Sequence, residues 1–213
     1  MYDASEYGNL SLAIDALNSY GVDVNERGPD GGETPLWIAC SYRNHIEIVK
    51  ILLKRKDLQV NLAADDGRTA LYVASQYGHL EVVRLLLSKS EIDINKDADG
   101  WNGGSTALYM ASQNGHLEVV RLLLSKSEID INKKFKNTTP LAIAKQKGHT
   151  EIVKLLEMQQ QQQQQPYQMV KVVCPANAAP GTTLRIDHNG RTYEIVVPEG
   201  ITAGGTFEFP AAI

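Results

Sequence analysis

Apolar positions recur at three- and four-residue steps in successive stretches of this 213-residue chain: IEIVKILL from Ile46, LEVVRLLL from Leu80, the same string from Leu117, and TEIVKLL from Thr150. In the second of these, Leu80, Val83, Leu86 and Leu87 make one stripe, which predicts a helix buried along that face. Glu81 and Arg84 fall three apart on the solvated side, where opposite charges lend slight helix support. A G/N-H turn precedes each stretch. Before the turn comes the pattern T-P/A-L-x-x-A, at Thr34–Ala39, Thr69–Ala74, Thr106–Ala111 and Thr139–Ala144. Each threonine stands just ahead of apolar periodicity, where a hydroxyl can satisfy free helix N–H groups. Ala39, Ala74, Ala111 and Ala144 put a small residue where the paired helix must come close. The predicted unit is a helix pair.

The unit repeats. Its starts lie 35, 37 and 33 residues apart, and Thr69–Lys96 agrees with Thr106–Lys133 at 26 of 28 positions, differing only at Val73/Met110 and Tyr77/Asn114. A partial copy, Ala4–Asn25, lacks the threonine start but ends GVDVN. An active site is normally built once, from residues with unlike roles. A unit recurring at a fixed interval builds a stack in which each copy buries its neighbour's apolar face, so a binding surface is expected before a catalytic pocket.

These residues resemble the ankyrin repeat, with its TPLH-type helix start, G-H turn, I/V-V-x-L-L second helix and D-V/I-N approach to a hairpin. The resemblance covers roughly Tyr2–Glu157. It implies a mainly α, ankyrin-like helical solenoid over 1–158, with about five units at 1–25, 26–61, 62–95, 96–132 and 133–158. It also implies a protein partner, met at the hairpin tips and the exposed face of the first helices, and hence an adaptor or scaffold. An additional residue in the Ser41–Asn44 turn, three extra before Thr106 and one fewer before Thr139 make the array irregular.

The chain changes character at residue 158. Gln159–Gln165 carries no apolar periodicity, so 159–168 is expected to be a linker, with some helical continuation into the glutamines and Pro166 as a stop. Residues 169–213 predict a small all-β module. Thr183–Asp187 and Thr192–Val197 alternate around Asn189–Gly190, a two-residue hairpin signal that pairs Ile186 with Tyr193, Leu184 with Ile195 and Arg185 with Glu194. A weak tandem aligns Pro175–Ile186 with Pro198–Phe209, 23 residues on. About 45 residues make a marginal core, so the module is expected to dock on the array or self-associate.

Chemistry changes little in this picture. His45, His79, His116 and His149 occupy one position in successive repeats. Helix layers pack about 8–10 Å apart, too far for one metal, so each is read as a turn histidine. Cys40 replaces a small core residue and is not expected to be a nucleophile. Gly100–Gly104 lacks the Lys-Ser/Thr of a phosphate loop. No enzyme and no cofactor are expected. A net charge of −4 offers no basic field for nucleic acid, no stretch is apolar enough to insert in a membrane, and the N-terminus is not a signal peptide. With two unframed cysteines, Cys40 and Cys174, a cytoplasmic setting is expected.

Contact candidates are the residues packing does not call for. At the ends of first helices these are Tyr42, Arg43, Gln76, Tyr77, Gln113 and Asn114. On hairpins they are Asp66, Arg68, Asp99, Asn102 and above all Trp101, which glycines alone would not require at a loop tip. Trp37, Tyr72 and Tyr109 are expected to support neighbouring repeats. A second reading makes the β module the binder of a glycan or lipid, with the array as its tether.

Overall fold

Each T-P/A-L-x-x-A segment becomes the first helix of a pair in the computed structural model. The structure describes every residue except Tyr20, Asp30, Tyr42, 99–103, Gln165, Pro166 and Ile213, with backbone alone at Gln164, Tyr167, Gln168, Pro210 and Ala212. The helices are α1 (Tyr2–Tyr7), α2 (Leu10–Asn18), α3 (Pro35–Cys40), α4 (Ile46–Leu52), α5 (Ala70–Tyr77), α6 (Leu80–Leu86), α7 (Ala107–Asn114), α8 (Leu117–Leu124), α9 (Pro140–Lys147) and α10 (Thr150–Gln164). Thr34, Thr69, Thr106 and Thr139 are the N-caps of α3, α5, α7 and α9, each side-chain oxygen accepting from the backbone N–H three residues on at 3.2 Å. Glycine in left-handed conformation ends α5, α7 and α9, at Gly78, Gly115 and Gly148. Helix α3 has no such glycine. The extra residue of its turn is absorbed by Asn44 at φ 51.

First helices stack on first helices, in the order α1, α3, α5, α7, α9, while α2, α4, α6 and α8 stack as a second layer. Between the layers Ala39, Ala74, Ala111 and Ala144 are fully buried, as the close approach of paired helices demands. Facing them are Ile48, Leu52, Leu86, Leu123, Ile152 and Leu156, all buried. Leu85 and Leu122, next in sequence to Leu86 and Leu123, are only half-buried on the outer side of the second helices.

The linker expected over 159–168 is helical through Gln164, because α10 runs on into the glutamines. Glutamine is among the better helix formers, and elongating a helix whose first turns are already packed avoids the cost of nucleation. Pro166, the expected stop, lies outside the described residues.

The chain divides into two compact units, Met1–Glu157 and Met158–Ile213. In the second, β1 (Tyr167–Val173) pairs with β4 (Thr206–Ala212), and β2 (Thr183–His188) with β3 (Arg191–Val196), both antiparallel. Asn189 and Gly190 take φ 50 and 74, the positive values a two-residue hairpin needs. The register is Leu184↔Ile195, Arg185↔Glu194 and Ile186↔Tyr193, as the pattern predicts. The weak tandem is realised as an internal two-fold. A shift of 23 residues turns the pair Val172↔Phe207 into Ile195↔Leu184. It also turns the bonds joining Cys174 to Gly204 and Gly205 (2.9 and 2.8 Å) into those joining Val197 to Gly181 and Thr182 (both 2.9 Å). Val172, Phe209 and Ala211, with Cys174, Ala178 and Val197, form the module's interior.

Candidate functional site

Two polar ladders hold the repeats in register and decide which groups remain for a partner. In the first, a histidine ring nitrogen donates to a carbonyl of the preceding repeat: His79 Nε2 to Ser41 (2.8 Å), His116 Nε2 to Gln76 (2.9 Å) and His149 Nε2 to Gln113 (3.0 Å). Because a carbonyl only accepts, these bonds put the proton on Nε2. Burial lowers the pKa of His79, with the Ser41 carbonyl opposing in part. The His116 and His149 rings lie where a side chain at Gly78 or Gly115 would stand, 2.4 and 2.7 Å from the position of a Cβ. The histidines thus tie one repeat to the one before, beyond the turn role expected of them. His45 packs against Gly8 in the same way, but its Nε2 has no hydrogen-bond partner among the described residues.

The second ladder is asparagine. The Asn25 amide donates to the Asp57 carbonyl (2.8 Å) and accepts from the Gln59 N–H (2.7 Å). Asn61 does the same with Glu91 and Asp93, and Asn95 with Glu128 and Asp130. Within the D-V/I-N motif, Asp23, Asp93 and Asp130 accept the backbone N–H of Asn25, Asn95 and Asn132. The motif was visible in the sequence. Its bridging role was not, because the partner lies a whole repeat away.

The contact candidates fare unevenly. Tyr42, Asp99, Trp101 and Asn102 lie outside the described residues. Asp66 and Arg68 close on each other, Nε to Oδ2 at 2.5 Å, and the Arg68 guanidinium lies 5.3 Å from the centre of the Trp37 ring. Packing therefore does use Arg68. Ser41 is buried, and the carbonyls of Ser41, Gln76 and Gln113 are all taken by the histidine ladder, so their main chain is structural while the glutamine side chains remain available. Asn114 Nδ2 also donates to the Gln76 carbonyl (2.9 Å). Tyr77 is exposed and stacks on His79 with centroids 6.0 Å apart. Tyr72 and Tyr109 are buried supports. Tyr72 Oη lies 3.1 Å from Ser105 Oγ, with burial raising its pKa, and Tyr109 meets Phe135 edge-on at 5.1 Å.

Three candidates, Arg68, Gln76 and Gln113, come together with Tyr72, Ser105, Met110 and Phe135 around a groove of about 240 Å³. Arg43 is elsewhere. It pairs with Glu6 (3.2 Å) and lines a hollow of about 200 Å³ that also includes Glu33 and Trp37. Sequence reasoning missed Met110 and Phe135. Both carried a signal: Met110 is one of the two positions at which the near-identical repeats differ, and Phe135 is a lone aromatic in the polar run KKFKN. Cys40 is buried and unpaired, and burial raises its thiol pKa far above the thiolate range, which makes it inert. Among the described residues, no helix is long and apolar enough to cross a membrane.

The family model described as ankyrin repeats (3 copies) matches residues 1–98 and 96–166. No curated protein matches the chain.

Proposed function

Since the chain belongs to the ankyrin-repeat family, whose repeats are generally protein-interaction modules, we propose that it is an adaptor or scaffold holding a protein partner in the groove between α5, α7 and the loop 133–138. One observation carries this reading. Two repeats identical at 26 of 28 positions differ only on the first helix, and one of the two differences opens onto the groove. Val73 in the earlier copy is fully buried, whereas Met110 in the later one is half-exposed. The free cysteine thiols of the described residues accord with a reducing, cytoplasmic setting.

Affinity capture with the full chain tests the proposal. Met110→Glu with Gln113→Glu places bulk and negative charge in the groove at two half-exposed positions of α7, and the captured set is quantified by mass spectrometry against the wild type. The reading expects the principal partner to fall at least about tenfold with the chain still folded at the capture temperature, since a blocked interface centre loses about 2 kcal/mol or more. An unchanged captured set excludes the groove. For the β module we propose self-association, supported by Val173 and Val196. These outward valines, 63% and 59% exposed, are equivalent under the 23-residue repeat. Light scattering on the full chain and on a Val173→Lys, Val196→Lys form reads the outcome as a dimer lost or a monomer in both.

A further inference from the structure

We infer that the partner segment in this groove is an acidic peptide carrying an aromatic or large aliphatic residue. The inference rests on the groove being the interaction surface. Residues 133–147 hold five lysines and no carboxylate, so the rest of a chain whose net charge is −4 carries −9. Two of the five are already neutralised, Lys133 by Asp97 at 3.0 Å and Lys145 by Glu157 at 2.7 Å. Lys134, Lys136 and Lys147 are exposed and make no ion pair among the described residues. Lys134 and Lys136 flank Phe135, which lines the groove, and they are presented there by a rigid turn. The N–H groups of Phe135 and Thr138 each donate to the other's carbonyl (3.0 and 2.8 Å), with Lys136 and Asn137 at φ 45 and 65 between them. This two-residue hairpin holds the Lys136 ammonium 5.2 Å from the centre of the groove-lining Phe135 ring, with exposed Lys134 on the other side of Phe135 in sequence.

The groove itself asks for more than an anion. Half-buried Met110 and the half-buried Phe135 ring give it an apolar floor. In its wall the side-chain carbonyl oxygen of Gln76 is shielded from solvent and has no hydrogen-bond partner among the described residues. A phosphate polymer or lipid headgroup matches the lysines but brings nothing apolar to the floor of Met110 and Phe135. An extended peptide brings both complements, carboxylates for Lys134 and Lys136 and an apolar side chain for the floor. The basic rim then speeds association and selects charge, while the floor holds the complex.

The test uses the full chain and a fluorescein-labelled peptide of repeating Glu-Glu-Phe, read by anisotropy. Two control peptides replace Glu by Lys or Phe by Gly. The inference expects saturable binding that weakens with added salt, at least about tenfold loss for the Lys134→Glu, Lys136→Glu form, and weak or no binding of either control peptide. Both lysines are exposed, so an unchanged melting temperature accompanies that loss. Equal binding of the Lys peptide, or full binding by the charge-reversed form, overturns the inference. So does binding of single-stranded RNA or phosphatidylglycerol vesicles but not of the acidic peptide. The capture experiment separates the two claims. If charge reversal leaves the captured partner in place while Met110→Glu with Gln113→Glu removes it, the partner chemistry is wrong and the groove stands. If neither matters, the groove falls too.

Discussion

Gly78 and Gly115 answer to two constraints at once, a positive φ and the ring of the next repeat's histidine, whereas Gly148 answers only to the first. That difference is measurable. Gly148→Ala should cost about 1–2 kcal/mol for a left-handed alanine, and Gly115→Ala distinctly more, because its Cβ stands 2.7 Å from His149 Cε1. Equal losses in denaturant unfolding would mean that the ring simply moves aside. His79 also sets a pH dependence. Burial holds the folded pKa of His79 below its ordinary value, so the unfolded chain binds the proton first. Stability from this source is complete above about pH 6.5 and declines as pH falls below it towards the lowered folded value. His79→Gln should flatten that part of the stability–pH curve, and an unchanged slope would assign it to other groups. The helix caps and the G-H turn were legible here because they are local: threonine before an apolar run, glycine after it. The bridges from His116 to Gln76 and from Asn95 to Glu128 were not legible, since they join residues 40 and 33 apart.

At the scale of elements, the period of the second helices located the buried stripe but not its depth. Leu85 and Leu86 both fit an apolar run, and only the packed neighbour layer distinguishes the half-buried one from the buried one. Leu86→Ala and Leu123→Ala should each cost about 2–5 kcal/mol through the cavity they leave, and Leu85→Ala markedly less. Equal costs would place the outer side of α6 under cover. The β2–β3 hairpin was legible to the residue, because Asn189–Gly190 dictates a two-residue turn and the alternation then admits one register. The glutamine tract was the reverse case, since its composition suits a linker and its propensity suits a helix. With α10 continuous to Gln164, replacing Gln159–Gln164 by alternating Gly and Ser should reduce helical circular dichroism by about one and a half turns' worth, without moving the array's melting temperature. No change in signal would return the tract to linker.

For the whole molecule, the family follows from repetition alone: four threonine starts, four G/N-H turns and four apolar runs in phase leave little else to build. The site was harder to see, because a groove is assembled from a helix end, the next helix and a distant loop. Arg68, Gln76 and Gln113 were found as polar residues that packing seemed to leave over, and Met110 and Phe135 only once the chain had brought them together. The partner is proposed to meet this face and not the back of the second helices. Site-specific photo-crosslinking tests it most directly, with benzoylphenylalanine placed in the full chain at Met110 or, as a control, at Arg121 on the exposed face of α8. A discrete crosslinked partner is expected from position 110 and none from position 121. Crosslinking from 121 alone, with 110 silent, would contradict it.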